Sequence, residues 1–305
     1  MHFGRVGSVE GIRFEPVAQD TRTDGVLGGR PAARARLYVG APIWSVPSWV
    51  GDVYPPRTPQ KAFLRHYGHR FPTVELNPTF YAIPPAARLA AWRDTVPDGF
   101  RFCPKVPRDA SHARPGPERD AALASFSDAL TVLGDRVGLP FLQLPPELPP
   151  SVRANVRSLV ERLPEAQRPA IEFRHHGWFR QNRLDDETFA WMRDADLAVV
   201  ITDVAGRRDV LHGSLPSRRV VVRFGGNRLD PTDYERIRSW ADTLASWYAH
   251  GLEEAYFFVH QPDDVHVPRL VAALEEEMRD RAPELVPAPH EPPLEPARDG
   301  QLSLL

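Results

Sequence analysis

The residues able to do chemistry in this chain gather where short apolar runs end. The runs at 73–77, 100–105, 139–144, 170–174, 197–203, 220–224 and 255–260 carry Glu75, Asn77, Lys105, Gln143, Glu172, Arg174, Asp203, Arg223 and His260 at or near their last positions. Alternate side chains of a strand share a face. Counted this way, Glu75 falls with Asn77, Cys103 with Lys105, Phe141 with Gln143, Glu172 with Arg174, Ile201 with Asp203, Val221 with Arg223, and Phe258 with His260. Paired carboxylates at such a place can serve as acid and base. Arginine forks grip carboxylate or phosphate with two parallel bonds. The catalytic candidates are therefore Glu75, Lys105, Glu172, Asp203 and His260. The ligand-binding candidates are Trp44, Asn77, Tyr81, His112, Gln143, Arg174 and Arg223.

Burying so many charges together is costly unless they pair or bind something. One reading is a self-satisfied network of Glu75 and Glu172 against Lys105, Arg174 and Arg223. The other is a ligand site. A divalent metal on Glu75, Glu172, Asp203 and His260 is a further alternative, but three nearby cations would compete for those carboxylates. No compact ligand motif such as HExxH is present, so neither metal nor cofactor is expected. Lys105 stands out because Lys61 is the only other lysine among 38 basic residues. Two roles suit it: a fixed cation, or an amine whose pKa is lowered by Arg174 and Arg223. The cation role is expected here, with Glu75 and Glu172 keeping the amine protonated. His112 and His260 are further proton-transfer candidates. Trp44 and Tyr81 are the aromatics expected to face a ligand.

Elements must bring these residues together. An eighth apolar run lies at 37–41. Amphipathic helical patterns fill most of the gaps, around 59–70, 85–95, 118–133, 151–163, 185–195, 231–250 and 265–280. Alternating strands and helices imply a parallel sheet. Eight strands in one body predict an α/β fold, a TIM-like (β/α)8 barrel in a single domain, with its site at the C-terminal mouth. A doubly wound open sheet is the structural alternative.

The body is expected at 37–282. Residues 1–36 lack periodicity and read as a flexible Gly/Arg-rich leader. Residues 283–305 are Pro-rich and read as an extended tail. With Cys103 as the only cysteine, a disulfide framework is excluded. Net charge is −2, so no global basic field points to nucleic acid or an acidic membrane. No apolar run reaches the length of a membrane span. A cytoplasmic protein without a membrane partner is expected.

Several segments resemble one known family. YVGAPIWSVPSWVGDVY at 38–54, VELNPTFY at 74–81, FRFCPKVPRDASH at 100–112, LQLPP at 142–146, IEFRHHGWF at 171–179 and VRFGG at 222–226 are similar to the motif blocks of the DUF72 (YecE-like) family. The departures are Ile43 where Gly is usual, Ser111 where Thr is usual, and VHQPDD at 259–264 in place of an Asn-rich segment. The resemblance implies a TIM barrel and a site at the strand ends. It implies no reaction, since the family has no established activity.

The leading expectation is an enzyme acting on an anionic, phosphate- or nucleotide-like substrate by hydrolase- or lyase-type acid/base chemistry. Two alternatives stay open. The last residues, Gln301, Leu302, Ser303, Leu304 and Leu305, resemble the pentapeptide by which bacterial replication and repair proteins dock on the sliding clamp, with Leu305 where Phe is usual. That suggests a DNA-maintenance factor. The third reading is a non-catalytic barrel that binds a ligand.

Overall fold

The structure is a computed structural model and describes residues 3–286. Eight strands form one sheet: β1 (Arg36–Ala41), β2 (Thr73–Leu76), β3 (Arg101–Pro104), β4 (Phe141–Gln143), β5 (Ala170–Glu172), β6 (Val199–Asp203), β7 (Arg219–Gly225) and β8 (Glu254–His260). Their spatial order is β3-β2-β1-β8-β7-β6-β5-β4, and every neighbouring pair is parallel. The edges β3 and β4 meet through a bridge between Lys105 and Phe141. The Val106 N–H also donates to the Phe141 carbonyl at 2.9 Å. The sheet is thus closed as a barrel, and the open-sheet alternative falls. Runs such as Val199-Val200-Ile201 and Val220-Val221-Val222 suit strands buried on both faces.

The helices that follow strands are those the periodicity predicts. Numbered from the N-terminus, α1 is Thr21–Leu27, α2 Phe63–Arg70, α3 Ala86–Thr95, α4 Pro117–Leu133, α5 Arg153–Glu161, α6 Asp186–Asp194, α7 Pro231–His250 and α8 Val267–Arg281. Only a short 3-10 turn, Arg208–Val210, lies between β6 and β7.

Helix α1 fills that gap, which corrects the expectation of a flexible leader. Asp20 caps it by accepting from the Arg22 N–H. Arg22 bonds Asp186 at the start of α6 and lies 4.2 Å from the Phe189 ring centroid. On the other side the Gly29 N–H donates to the His250 carbonyl at the end of α7. Gly251 has no side chain because a Cβ there would fall 2.1 Å from the Leu27 carbonyl oxygen. Thr23 and Leu27, one turn apart, are both buried. The helix therefore sits between α6 and α7, where the missing crossover helix would pack. Seven residues with Gly25 among them are too few to display a helical period, so the segment gives no sequence signal.

At the other end, Pro283–Leu285 forms one 3-10 turn and Leu285 is buried, so the extended tail does not begin at 283. The clamp-like peptide at 301–305 lies outside the described residues. Among the described residues no helix is long and apolar enough to cross a membrane.

Inside the barrel, Tyr38, Cys103, Leu139, Phe141, Ala170, Ala198, Val200, Val221, Tyr256 and Phe258 form one buried cluster. Tyr38 and Tyr256 stack at 4.8 Å, and this packed layer is the floor on which the polar residues stand. Burial pushes the Cys103 thiol pKa up, which leaves it inert.

Candidate functional site

Above that floor, at the C-terminal ends of the strands, the inward side chains meet in one hydrogen-bonded network. Arg223 on β7 is its centre. Its Nε and Nη2 grip both oxygens of Glu75 on β2, at 2.9 and 2.8 Å. Its Nη1 donates to Glu172 Oε2 on β5 at 2.9 Å. Glu172 also accepts from Gln143 Nε2 at 2.7 Å, Arg174 Nε at 2.7 Å and Thr202 Oγ1 at 2.8 Å. His260 Nε2 lies 3.0 Å from Glu75 Oε2 and donates to that carboxylate. Glu75, Glu172 and Arg223 are buried, so these bonds form in a medium that strengthens them.

The network decides the protonation states. Burial alone would raise both carboxyl pKa values. Arg223, joined by His260, instead holds Glu75 well below its ordinary value. Arg174 and Arg223 hold Glu172 at about 2. Burial lowers the His260 pKa against the opposing pull of Glu75, so its imidazole is neutral at pH 7. Both carboxylates are thus ionised and saturated with donors, and they orient the arginines.

Lys105 stands apart. Its Nζ donates to Gln143 Oε1 at 2.8 Å and lies 3.7 Å from the Phe80 ring centroid. Among the described residues no carboxylate is within ion-pair distance of it. Burial, then Arg223, pushes its ammonium down to about 8 despite Glu172 and Glu75. Arg174 is also underused. Among the described residues it donates only through Nε, leaving its two terminal nitrogens without a partner. The exposed His112 has Nδ1 2.8 Å from Ser111 Oγ and its ring edge-on to Phe80. Burial, then Lys105, lowers its pKa, so it too is neutral.

The remaining candidates divide. Tyr81 is 80% exposed on the rim beside Phe80. Asn77 donates to the Pro42 carbonyl at 3.3 Å and ties the β1 and β2 loops together. Trp44 packs edge-on against Trp92 of α3 at 5.2 Å, a loop-to-helix contact. Asp203 does not join the mouth. It points to the helix layer, accepting from Trp240 Nε1 at 2.7 Å and Arg236 Nη1 at 3.0 Å, and pairs with Arg208. The inward residue of β6 is Thr202, level with Arg223 in the register. The cation ligands weighed from the sequence therefore do not converge: Asp203 is on the opposite face and arginines hold both glutamates. Among the described residues no group of three His, Cys, Asp or Glu side chains is placed to hold a metal.

Sequence reasoning missed Thr202, Phe80 and Phe3. Thr202 shows only in the pairing register of β6 with β7, which the sequence does not display. Phe3 carries no sequence signal either. It stacks over Arg174 and Arg207, at 4.3 and 4.6 Å, while the Gly206 N–H donates to the Gly4 carbonyl at 2.9 Å. The N-terminal segment thus walls one side of the mouth.

Residues 38–295 match the family model described as "Protein of unknown function DUF72". UPF0759 protein YecE of Escherichia coli strain K12 is 28% identical over 271 residues, which span 83% of this chain and 96% of its own. UPF0759 protein YunF of Bacillus subtilis strain 168 is 26% identical over 208 residues, 62% of this chain and 70% of its own. A DUF72 family crystal structure from Enterococcus faecalis V583 superposes with a TM-score of 0.65 at 17% identity, covering 84% of this chain and 98% of that one. Another from Thermotoga maritima MSB8 gives 0.63 at 20% identity, covering 80% and 99%. These structures share the fold. The match to the family model over most of the barrel and the segments that follow it shows that the chain belongs to the DUF72 family, whose function is unknown.

Proposed function

We propose that this protein is an enzyme that binds a small anionic substrate, phosphate- or nucleotide-like, at the C-terminal mouth of the barrel. One observation carries the reading. Glu75 and Glu172 supply two negative charges, whereas Arg174, Arg223 and protonated Lys105 supply three positive ones. The surplus lies on Lys105 and on the free edge of Arg174, both at the open side of the network. An oxyanion there would complete the charge balance and take the unused donors. Tyr81 on the rim offers a flat ring to a base or sugar. His112 is the group left for proton transfer, because both carboxylates are committed to arginines.

The test is calorimetric titration of the full chain with phosphate and with nucleoside monophosphates. The expected result is millimolar or tighter binding, weakened by Lys105→Ala and Arg174→Ala but not by Asp203→Asn. Absence of binding in a folded wild-type chain would defeat the reading.

A further inference from the structure

Lys105 is placed to do more than hold an anion. Its expected role as a permanently charged cation rested on Glu75 and Glu172 keeping the amine protonated. In the structure neither touches it. Arg223 and His260 occupy Glu75, and Arg174, Arg223, Thr202 and Gln143 occupy Glu172. The charged groups bearing on the amine are Arg223 and Arg174, which repel its proton, and the two carboxylates, which attract it from beyond their own partners. Phe80 covers one side of the buried amine, its ring centroid 3.7 Å from Nζ. An amine so placed is the usual starting point for covalent attack on a carbonyl.

We infer that Lys105 is a nucleophilic amine that condenses with the carbonyl group of a small anionic aldehyde or ketone held at the mouth. This rests on the anion-binding reading, with Arg174 as the anchor for the negative group. The Lys105 nitrogen lone pair forms the C–N bond. The carbonyl π electrons move to oxygen, which takes two protons, one lost by the attacking nitrogen and one drawn from solvent. That oxygen then leaves as water, giving a protonated imine. One water is released and no electron acceptor or donor is required. His112 packs on the same Phe80 ring as Lys105 and is the titratable side chain placed to relay a proton between solvent and the carbonyl oxygen. Gln143 bridges Lys105 to Glu172 and fixes the direction of the amine.

The chain carries its own control, since Lys61 is the only other lysine and is exposed. The experiment treats the full chain with glyceraldehyde 3-phosphate and cyanoborohydride, then locates the reduced adduct by peptide mass mapping. Glyceraldehyde without the phosphate is run in parallel. Each unit of pKa depression gives about a tenfold larger free-amine fraction at neutral pH. The fall from 10.5 to about 8 enlarges that fraction by roughly 300-fold, so Lys105 is expected to label on the order of a hundredfold faster than Lys61, with labelling rising through a midpoint near pH 8. The phosphorylated probe should label Lys105 faster than the plain aldehyde. Lys105→Arg should abolish that adduct while keeping the fold, and Lys61→Arg should not. Label on Lys61 with none on Lys105 would overturn the imine, and phosphate binding by calorimetry would then show whether the anion site survives without it. Equal labelling of Lys105 by both probes would retain the amine and remove the anion anchor.

Discussion

Thr202 and Asp203 are neighbours in the chain, yet they feed two different buried ionic clusters on opposite faces of one strand. Thr202 points inward and bonds Glu172. Asp203 points outward to Arg236, Arg208 and Trp240. In the outer cluster Arg236 also pairs with Asp233 at 2.9 Å, and Phe14 lies over both Arg208 and Arg236. Two aspartates there meet two arginines, and the charge closes to zero. The inner cluster sets three cations against two carboxylates. Both are buried and held by arginine forks, so burial alone does not separate a structural network from a site. What separates them is the balance: the outer one is complete, whereas the inner one has a cation and donor edges to spare.

The comparison predicts unequal consequences of breaking each cluster. Glu172→Ala strands Arg223 and Arg174 in a buried setting, and should cost about 3–5 kcal/mol in denaturant unfolding. Asp203→Ala should cost less, about 2–3 kcal/mol, because Arg208 is partly exposed and can turn to water. It should also leave phosphate binding unchanged. An equal loss of binding in both variants would dissolve the distinction.

Helix α1 packs against α7, the helix that carries Asp233, Arg236 and Trp240 of the outer cluster. Leu27→Ala should destabilise the fold by about 2–4 kcal/mol. A flexible leader would give no change, so thermal unfolding decides between them.

Acid should act on both clusters. Glu75, Glu172 and Asp203 have folded pKa values below their unfolded ones. Their stabilisation is therefore complete above the ordinary carboxyl range and is lost as pH falls from about 4.5 toward 2. Lys105 acts in the opposite direction. Its folded pKa of about 8 lies below the unfolded value, so between about pH 8 and 10.4 the unfolded chain binds more protons and stability rises with pH. Unfolding midpoints across this range should show that rise, and Lys105→Met should flatten it. The smallest effect is expected from Phe3→Ala, a loss of about 1 kcal/mol from its stack on Arg174 and Arg207. It should also tighten phosphate binding by uncovering Arg174, a change calorimetry would read.

Much of this was legible in the sequence, for identifiable reasons. Strand and helix positions follow from hydrophobic period, and the inward parity of Glu75, Lys105, Gln143, Glu172, Arg223 and His260 follows from alternation within each strand. Asp203 closes its apolar run as the polar residues of the other strands do, yet its side chain faces the helices. The pairing register of β6 with β7 puts Thr202, not Asp203, beside Arg223. Helix α1 was too short to show a period. The stacking of Phe3 on Arg174 and the approach of Phe80 to Lys105 depend on loop paths that no local pattern encodes. The division of labour inside the mouth, with carboxylates saturated and Lys105 left over, depends on which donor reaches which oxygen.

The most direct measurement is diffraction from crystals soaked in tungstate, an oxyanion located by its anomalous signal. The account predicts a peak at the barrel mouth within hydrogen-bond reach of Lys105 Nζ and the terminal nitrogens of Arg174, lost in Lys105→Ala crystals. A peak confined to surface arginines, with the mouth empty at millimolar tungstate, would contradict it.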